Sequence, residues 1–327
     1  MNISGIKLRV KIIIKAIFHK FFGKTRLKAR ILRFFSRDYE LDSKEMEALF
    51  NKPLNDKTQR GDFIASLTSF PARVGILKYT LHSIFSQTLF AKKVFLVLSK
   101  SEFMEHYKVQ NVDDGILPSE ILSFKKYGLE ILWVGENLYQ FNKIIPILRA
   151  FPDENLITID DDIYYNSETF ATLYNAHLQN KSVIFAHKSR IVPFTQDTIK
   201  DFFEWKIIRK ANKKWQNRPA FDVFLEGCGG VFYPPHCLYK DVCDSAKFMA
   251  LTPKADDIWL WSMALLQGTK IACVENPLMG NGAAFTNKAT NPALWQYNMN
   301  GGNDKQMKAM LTAYPQILRI LNGESDF

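Results

Sequence analysis

The chain has 327 residues, 47% of them hydrophobic and 13% aromatic, which excludes extensive disorder and allows one large core or two modest ones. Its formal charge of +10 is uneven: residues 1–37 carry eleven Lys/Arg and no Asp or Glu, while the rest holds 32 basic against 33 acidic side chains. A near-neutral body with one basic arm gives no case for nucleic-acid binding from overall basicity.

In chain order, the arm comes first. Residues 6–22, IKLRVKIIIKAIFHKFF, have no apolar run beyond Ile12–Ile14, too short for a secretory signal or a spanning helix. Lys7, Lys11 and Lys15 recur on one helical face, and Arg26, Arg30, Arg33 and Arg37 repeat the pattern beside Leu27, Ile31 and Phe34. Basic and apolar stripes side by side suit a helix in the headgroup region of an anionic membrane surface. A solvated helix packed on the body, or a nucleic-acid-binding arm, is the alternative. Residues 38–61 are polar and read as a connector.

From residue 62 to 327, β-branched and aromatic runs alternate with helical periods. Phe63–Leu67, Val94–Leu98, Leu129–Trp133 and Leu156–Ile159 are predicted strands. Leu77, Leu81, Ile84 and Phe85 predict a helix after the first strand, and a short helix is expected over Ile144–Ala150. This order predicts an α/β domain with a mostly parallel sheet and helices on both faces, whose ligands bind outside the carboxyl ends of the strands. Cys228, Cys237, Cys243 and Cys273 lack zinc-site spacing and are expected to be mostly buried thiols in a reducing compartment.

Asp160-Asp161-Asp162 directly follows the apolar strand Leu156–Ile159. Alternation turns Asp160 and Asp162 to one side and Asp161 to the other. Two same-side carboxylates suit Mg²⁺ or Mn²⁺, hard cations that share oxygen ligands with a substrate's phosphates. A solvated turn that caps the next helix is the bland reading of the triplet. A second acidic pair, Asp256-Asp257, opens the apolar helix Ile258–Leu266, with Trp259 and Trp261 close by. Helix capping accounts for one carboxylate; two beside aromatics suit a general base at a sugar-sized pocket. The helix dipole is expected to keep Asp257 ionised at neutral pH. Between the two clusters, Glu226-Gly-Cys-Gly-Gly230 permits close approach of backbone to a ligand, or is an ordinary tight turn.

The succession Ser-Leu-Thr-Ser-Phe-Pro-Ala-Arg73, Leu-His-Ser-Ile-Phe-Ser-Gln87, Ile-Thr-Ile-Asp-Asp-Asp162, Gly-Gly-Val-Phe-Tyr-Pro-Pro235 and Ala-Asp-Asp-Ile-Trp259 resembles bacterial glycosyltransferases with the GT-A fold. It is most similar to the family 2-like enzymes of cell-surface polysaccharide and lipooligosaccharide assembly, over roughly residues 62–310. The resemblance implies a Rossmann-like GT-A domain and a nucleotide-sugar donor. It makes Asp160 and Asp162 the D-x-D element that serves a metal–diphosphate, and Asp257 the base with Asp256 as its neighbour. Thr68, Arg73, Lys143, Asp161, Gly229 and Gly230 are the candidate donor contacts, Arg73 and Lys143 for phosphates. The acceptor is expected to be a glycan or lipid-linked saccharide, and the enzyme a cytoplasmic one, peripheral on the inner face of the membrane.

The first strand lacks a Pro-x-Tyr-Asn opening, and Asp256 stands where Glu is commoner. These departures leave inverting and retaining chemistry both open, and His236 is a further candidate metal ligand. Two competing readings are an Asp-based phosphohydrolase and a non-catalytic membrane-peripheral binding protein. The first wants Thr or Gly close behind the second Asp, where Ile163-Tyr164-Tyr165 stand; the second leaves the acidic clusters unexplained.

Overall fold

The computed structural model describes residues 40–41, 43–54, 59–209, 212–275, 283–285 and 297–324. The basic arm, residues 1–37, lies outside them. Within the segment expected to be a connector, β1 (Glu40–Leu41) and α1 (Ser43–Phe50) are formed. Phe50 meets the ring of Tyr79 edge-on at 5.8 Å, so helix packing, invisible to local composition, orders part of this stretch.

A first parallel unit follows: β2 (Ile64–Thr68), α2 (Val74–Ile84) and β3 (Lys93–Ser99), with Ile64 opposite Lys93 and Thr68 opposite Val97. Then come α3 (Lys100–Tyr107), α4 (Ser119–Leu122), β4 (Leu129–Val134), α5 (Ile145–Ala150) and β5 (Leu156–Thr158). Beyond β5 lie β6 (Ile163–Tyr164), α6 (Thr169–Gln179), β7 (Ile184–Ala186) and β8 (Ser189–Ile191). The short strands β9 (Lys206–Ile207), β10 (Val223–Leu225) and β11 (Val231–Tyr233) lead to α7 (Ser245–Leu251) and α8 (Asp256–Leu266). The series closes with β12 (Ile271–Cys273), β13 (Ala283–Phe285), α9 (Asn303–Ala313) and α10 (Gln316–Leu321).

The central sheet has seven strands in the order β12-β7-β11-β5-β2-β3-β4. Its pairings are parallel except at β11, which runs antiparallel between β5 and β7. Strand alternation sorts side chains into two cores. On one face Phe63, Ala65 and Leu67 pack with Leu77 and Leu81 of α2 and with Phe170 and Leu173 of α6. On the other, Ile64 and Val97 share a core with Ile258 to Leu265 of α8, a helix buried on every side. The result is a mainly parallel sheet flanked by helices, as the periodicity predicts. Among the described residues no helix is long and apolar enough to cross a membrane.

Candidate active site

β5 ends at Thr158, and the chain leaves the sheet through Ile159 into the acidic triplet. The exit is braced from the first βα turn. Ser69 donates to Asp161 Oδ2 at 2.6 Å, Arg73 to Asp161 Oδ1 at 2.6 Å, and Thr80 to the Asp161 carbonyl at 2.8 Å. Asp161 is buried with both its oxygens hydrogen-bonded, so it anchors the triplet. Thr68 is likewise engaged: its hydroxyl donates to Val97 O at 2.8 Å. The Arg73 guanidinium also reaches Asp162 Oδ2 at 3.1 Å. Asp162 is the open member, with 35% of its side chain exposed. Partial burial, and then the like charges of Asp161 and Asp160, push its carboxyl up to about 7 against the pull of Arg73.

Asp160 pairs with Lys143, whereas Arg73 takes Asp161 and Asp162. The Lys143 ammonium, 7% exposed, lies 2.8 Å from Asp160 Oδ1 and 2.9 Å from Asp256 Oδ2. The two acidic clusters of the sequence therefore share one buried cation. Burial disfavours the charges of both Lys143 and Asp160, yet their attraction wins: the lysine is raised well above its usual range and Asp160 held below its own. Asp257, the next residue in the first turn of α8, accepts the Gly227 N–H at 3.0 Å. Burial and the charge of Asp256 push Asp257 well above the usual carboxylate range. This corrects the dipole argument: in a desolvated site next to a second carboxylate, the helix terminus is outweighed.

The glycine loop closes the third side. A Cβ on Gly227 would stand 2.9 Å from Asp257 Oδ1 and 3.3 Å from Lys143 Nζ, so the bare backbone there is what admits Asp257 and Lys143. Gly229 and Gly230, the glycines singled out in the sequence, have other neighbours. Gly229 packs against the backbone and Cβ of Lys188, and Gly230, at φ +89°, faces Ile159, Thr169 and Leu173. Tyr165 ties loop to triplet: its hydroxyl accepts the Asp160 N–H at 2.8 Å and donates to Cys228 O at 3.2 Å. Sequence reasoning placed Gly227 in the glycine loop without making it a donor contact, and missed Tyr165 and the segment after β7, where Lys188 in the turn and Arg190 in β8 face Glu226 of the loop. The only local signal was the density of polar residues in His187-Lys188-Ser189-Arg190.

Other candidates fall elsewhere. His236 is exposed and pairs with Asp153 at 2.9 Å, before β5 and so at the opposite end of that strand from the triplet. It is no ligand for a metal at Asp160 and Asp162. Trp259 and Trp261 line no sugar pocket; both are fully buried, their indole N–H groups donating to Val242 O at 3.0 Å and Val223 O at 3.1 Å.

The donor set fits a hard divalent cation. Six carboxyls, Asp160, Asp161, Asp162, Asp256, Asp257 and Glu226, gather around Arg73, Lys143, Lys188 and Arg190, with Asp162 toward solvent. Among the described residues no group of three or more His, Cys, Asp or Glu is arranged to hold a metal by itself. A cation here would take one or two carboxylates and fill its remaining positions with water or substrate oxygens, as Mg²⁺ and Mn²⁺ do.

No protein-family model matches the chain, and no curated protein does. Similar solved structures include the mannosyltransferase PcManGT from Pyrobaculum calidifontis in complex with GDP-Man and Mn²⁺, at 13% identity and a TM-score of 0.45, over 90% of this chain and 77% of that one. Another is S. aureus TarS 1-349 in complex with UDP-GlcNAc, at 10% identity and a TM-score of 0.42, over 82% of this chain and 72% of that one. At that level of likeness neither assigns a residue here, and the site rests on its own geometry.

Proposed function

We propose that this chain is a metal-dependent glycosyltransferase that moves a sugar from a nucleotide-sugar donor to a glycan or lipid-linked saccharide acceptor. The observation that carries the reading is the Lys143 bridge between Asp160, at the carboxyl end of β5, and Asp256, at the start of α8. It joins a cation-binding carboxylate to an acid pair suited to proton transfer, within one crevice. Asp160 and Asp162 would hold Mn²⁺ or Mg²⁺. That ion, when bound, supplies Lewis-acid neutralisation of the leaving diphosphate.

The chain's own residues do the rest. Asp161, Ser69 and Arg73 fix the triplet against the first βα turn. Lys143 holds Asp256 in place at 2.9 Å. Asp257, in its ionised form a stronger base than a free carboxylate because of burial and its neighbour, would take the proton of the acceptor hydroxyl, which is the inverting route. The basic arm, residues 1–37, would hold the enzyme on the anionic inner face of the cytoplasmic membrane.

The test is incubation of the purified chain with UDP-, GDP- and CMP-sugars and Mn²⁺. Slow, metal-dependent release of one nucleotide is expected. Release from none of them, with the fold intact, would remove the reading.

A further inference from the structure

The cations that the sequence offers for a donor's phosphates, Arg73 and Lys143, are both matched by carboxylates within 3.1 Å. Lys188 is not. It sits in the turn between β7 and β8 with its stem fixed. Its carbonyl accepts the Glu226 N–H at 2.9 Å, and Gly229, lacking a Cβ, lies flush against its Cβ and backbone. Its ammonium donates to Cys228 Sγ at 3.2 Å, a weak acceptor. Burial pushes that thiol up to about 12, so it remains neutral and cancels no charge. Glu226 Oε2 is 3.9 Å away, beyond hydrogen-bond reach, and Glu226 Oε1 is taken by Arg190 Nε at 2.8 Å.

Among the described cations of the crevice, Lys188 is therefore the one with no carboxylate within hydrogen-bond reach. It is also the more open lysine, 27% exposed against 7% for Lys143. It is tied to the triplet through Cys228, which takes the Lys188 ammonium at Sγ and, at its carbonyl, the Tyr165 hydroxyl that accepts the Asp160 N–H.

We propose that the Lys188 ammonium is the phosphate-binding cation of this crevice, a subsite for the diphosphate of the nucleotide donor; this rests on the glycosyltransferase reading above. An ammonium has three donors, and a thiol satisfies one of them poorly. A phosphate oxygen is a charged, strong acceptor, and a charge-assisted bond to it is worth about twice a neutral one. The glycine loop contributes by holding the stem rigid, so little side-chain entropy is lost when the anion arrives. Arg190 contributes by holding Glu226 through Oε1 at 2.8 Å.

The test is calorimetric titration of the full chain, in Mn²⁺, with UDP, GDP and CDP, and then with the nucleoside of whichever diphosphate binds. Lys188→Met keeps the stem against Gly229 and removes the charge. It should weaken the diphosphate by about ten- to hundredfold, the range of one charge-assisted hydrogen bond, and leave the nucleoside within about twofold. Lys188→Arg should recover most of the loss. Diphosphate binding unchanged in Lys188→Met overturns the proposal, and so does an equal loss for nucleoside and diphosphate, which marks a structural role. Wild-type protein that binds none of the diphosphates overturns the glycosyltransferase reading itself, and the subsite with it.

Discussion

Replacing Lys143 by Met removes the one cation shared by Asp160 and Asp256 and keeps the length and apolar stem of the side chain. Lys143 is buried, and a buried ion pair broken on one side costs about 3–5 kcal/mol because the remaining charge is stranded. Two carboxylates are stranded here, with Asp257 adjacent, so the upper part of that range is expected. The loss must also depend on pH. In wild type, Lys143 holds Asp160 below its usual range. Without the lysine, the Asp160 carboxyl rises above its unfolded value, so the variant's deficit is full at high pH and shrinks as protonation neutralises the pair on acidification. Denaturant unfolding of both proteins, at about pH 7.5 and about pH 5.5, reads both effects. Adding Asp160→Asn to Lys143→Met should recover part of the loss, since one stranded charge is then gone. A Lys143→Met protein within about 1 kcal/mol of wild type, or a deficit that does not change with pH, would refute the picture of a shared buried cation.

Asp162→Asn should abolish sugar transfer without lowering the melting temperature, because Asp162 is the open member of the triplet; EDTA should mimic it, and full turnover in either case removes the metal assignment. Gly227→Ala should cut turnover and destabilise the fold, since its Cβ would meet Asp257 at 2.9 Å, whereas Gly75→Ala, in α2 with nothing within 4 Å, should stabilise by about 0.5–1 kcal/mol in the same melting assay. His187, fully buried, is pushed down to about 4 from an ordinary 6.5, so the unfolded chain takes up its proton first and stability falls between those values as pH is lowered. The loss should reach about 2 kcal/mol near about pH 5, and unfolding midpoints of His187→Gln should lack that component.

The parts legible in the sequence are those fixed by near neighbours. Leu77, Leu81 and Ile84 mark the buried stripe of α2, and Leu156–Thr158 is a strand because an apolar run of that kind has no other stable use before a charged turn. The triplet at the carboxyl end of that strand was legible for the same reason, as was the second acidic pair at the first turn of α8. Local reasoning failed where burial depended on distant chain. Trp259 and Trp261 stand beside Asp257 in sequence yet point into the core, and Ser43–Phe50 is helical because Phe50 finds Tyr79.

The sequence by itself determined the α/β order, the two acidic clusters and the glycine loop, because each is written in contiguous residues whose periodicity or composition has a direct physical cost. Only the tertiary structure decided how their charges are shared. Lys143 pairs with both Asp160 and Asp256, Arg73 is drawn to Asp161 and Asp162, and the Asp257 carboxyl is raised by burial. Electrostatic energy in a desolvated crevice depends on distances between residues far apart in the chain, and no local pattern encodes those distances.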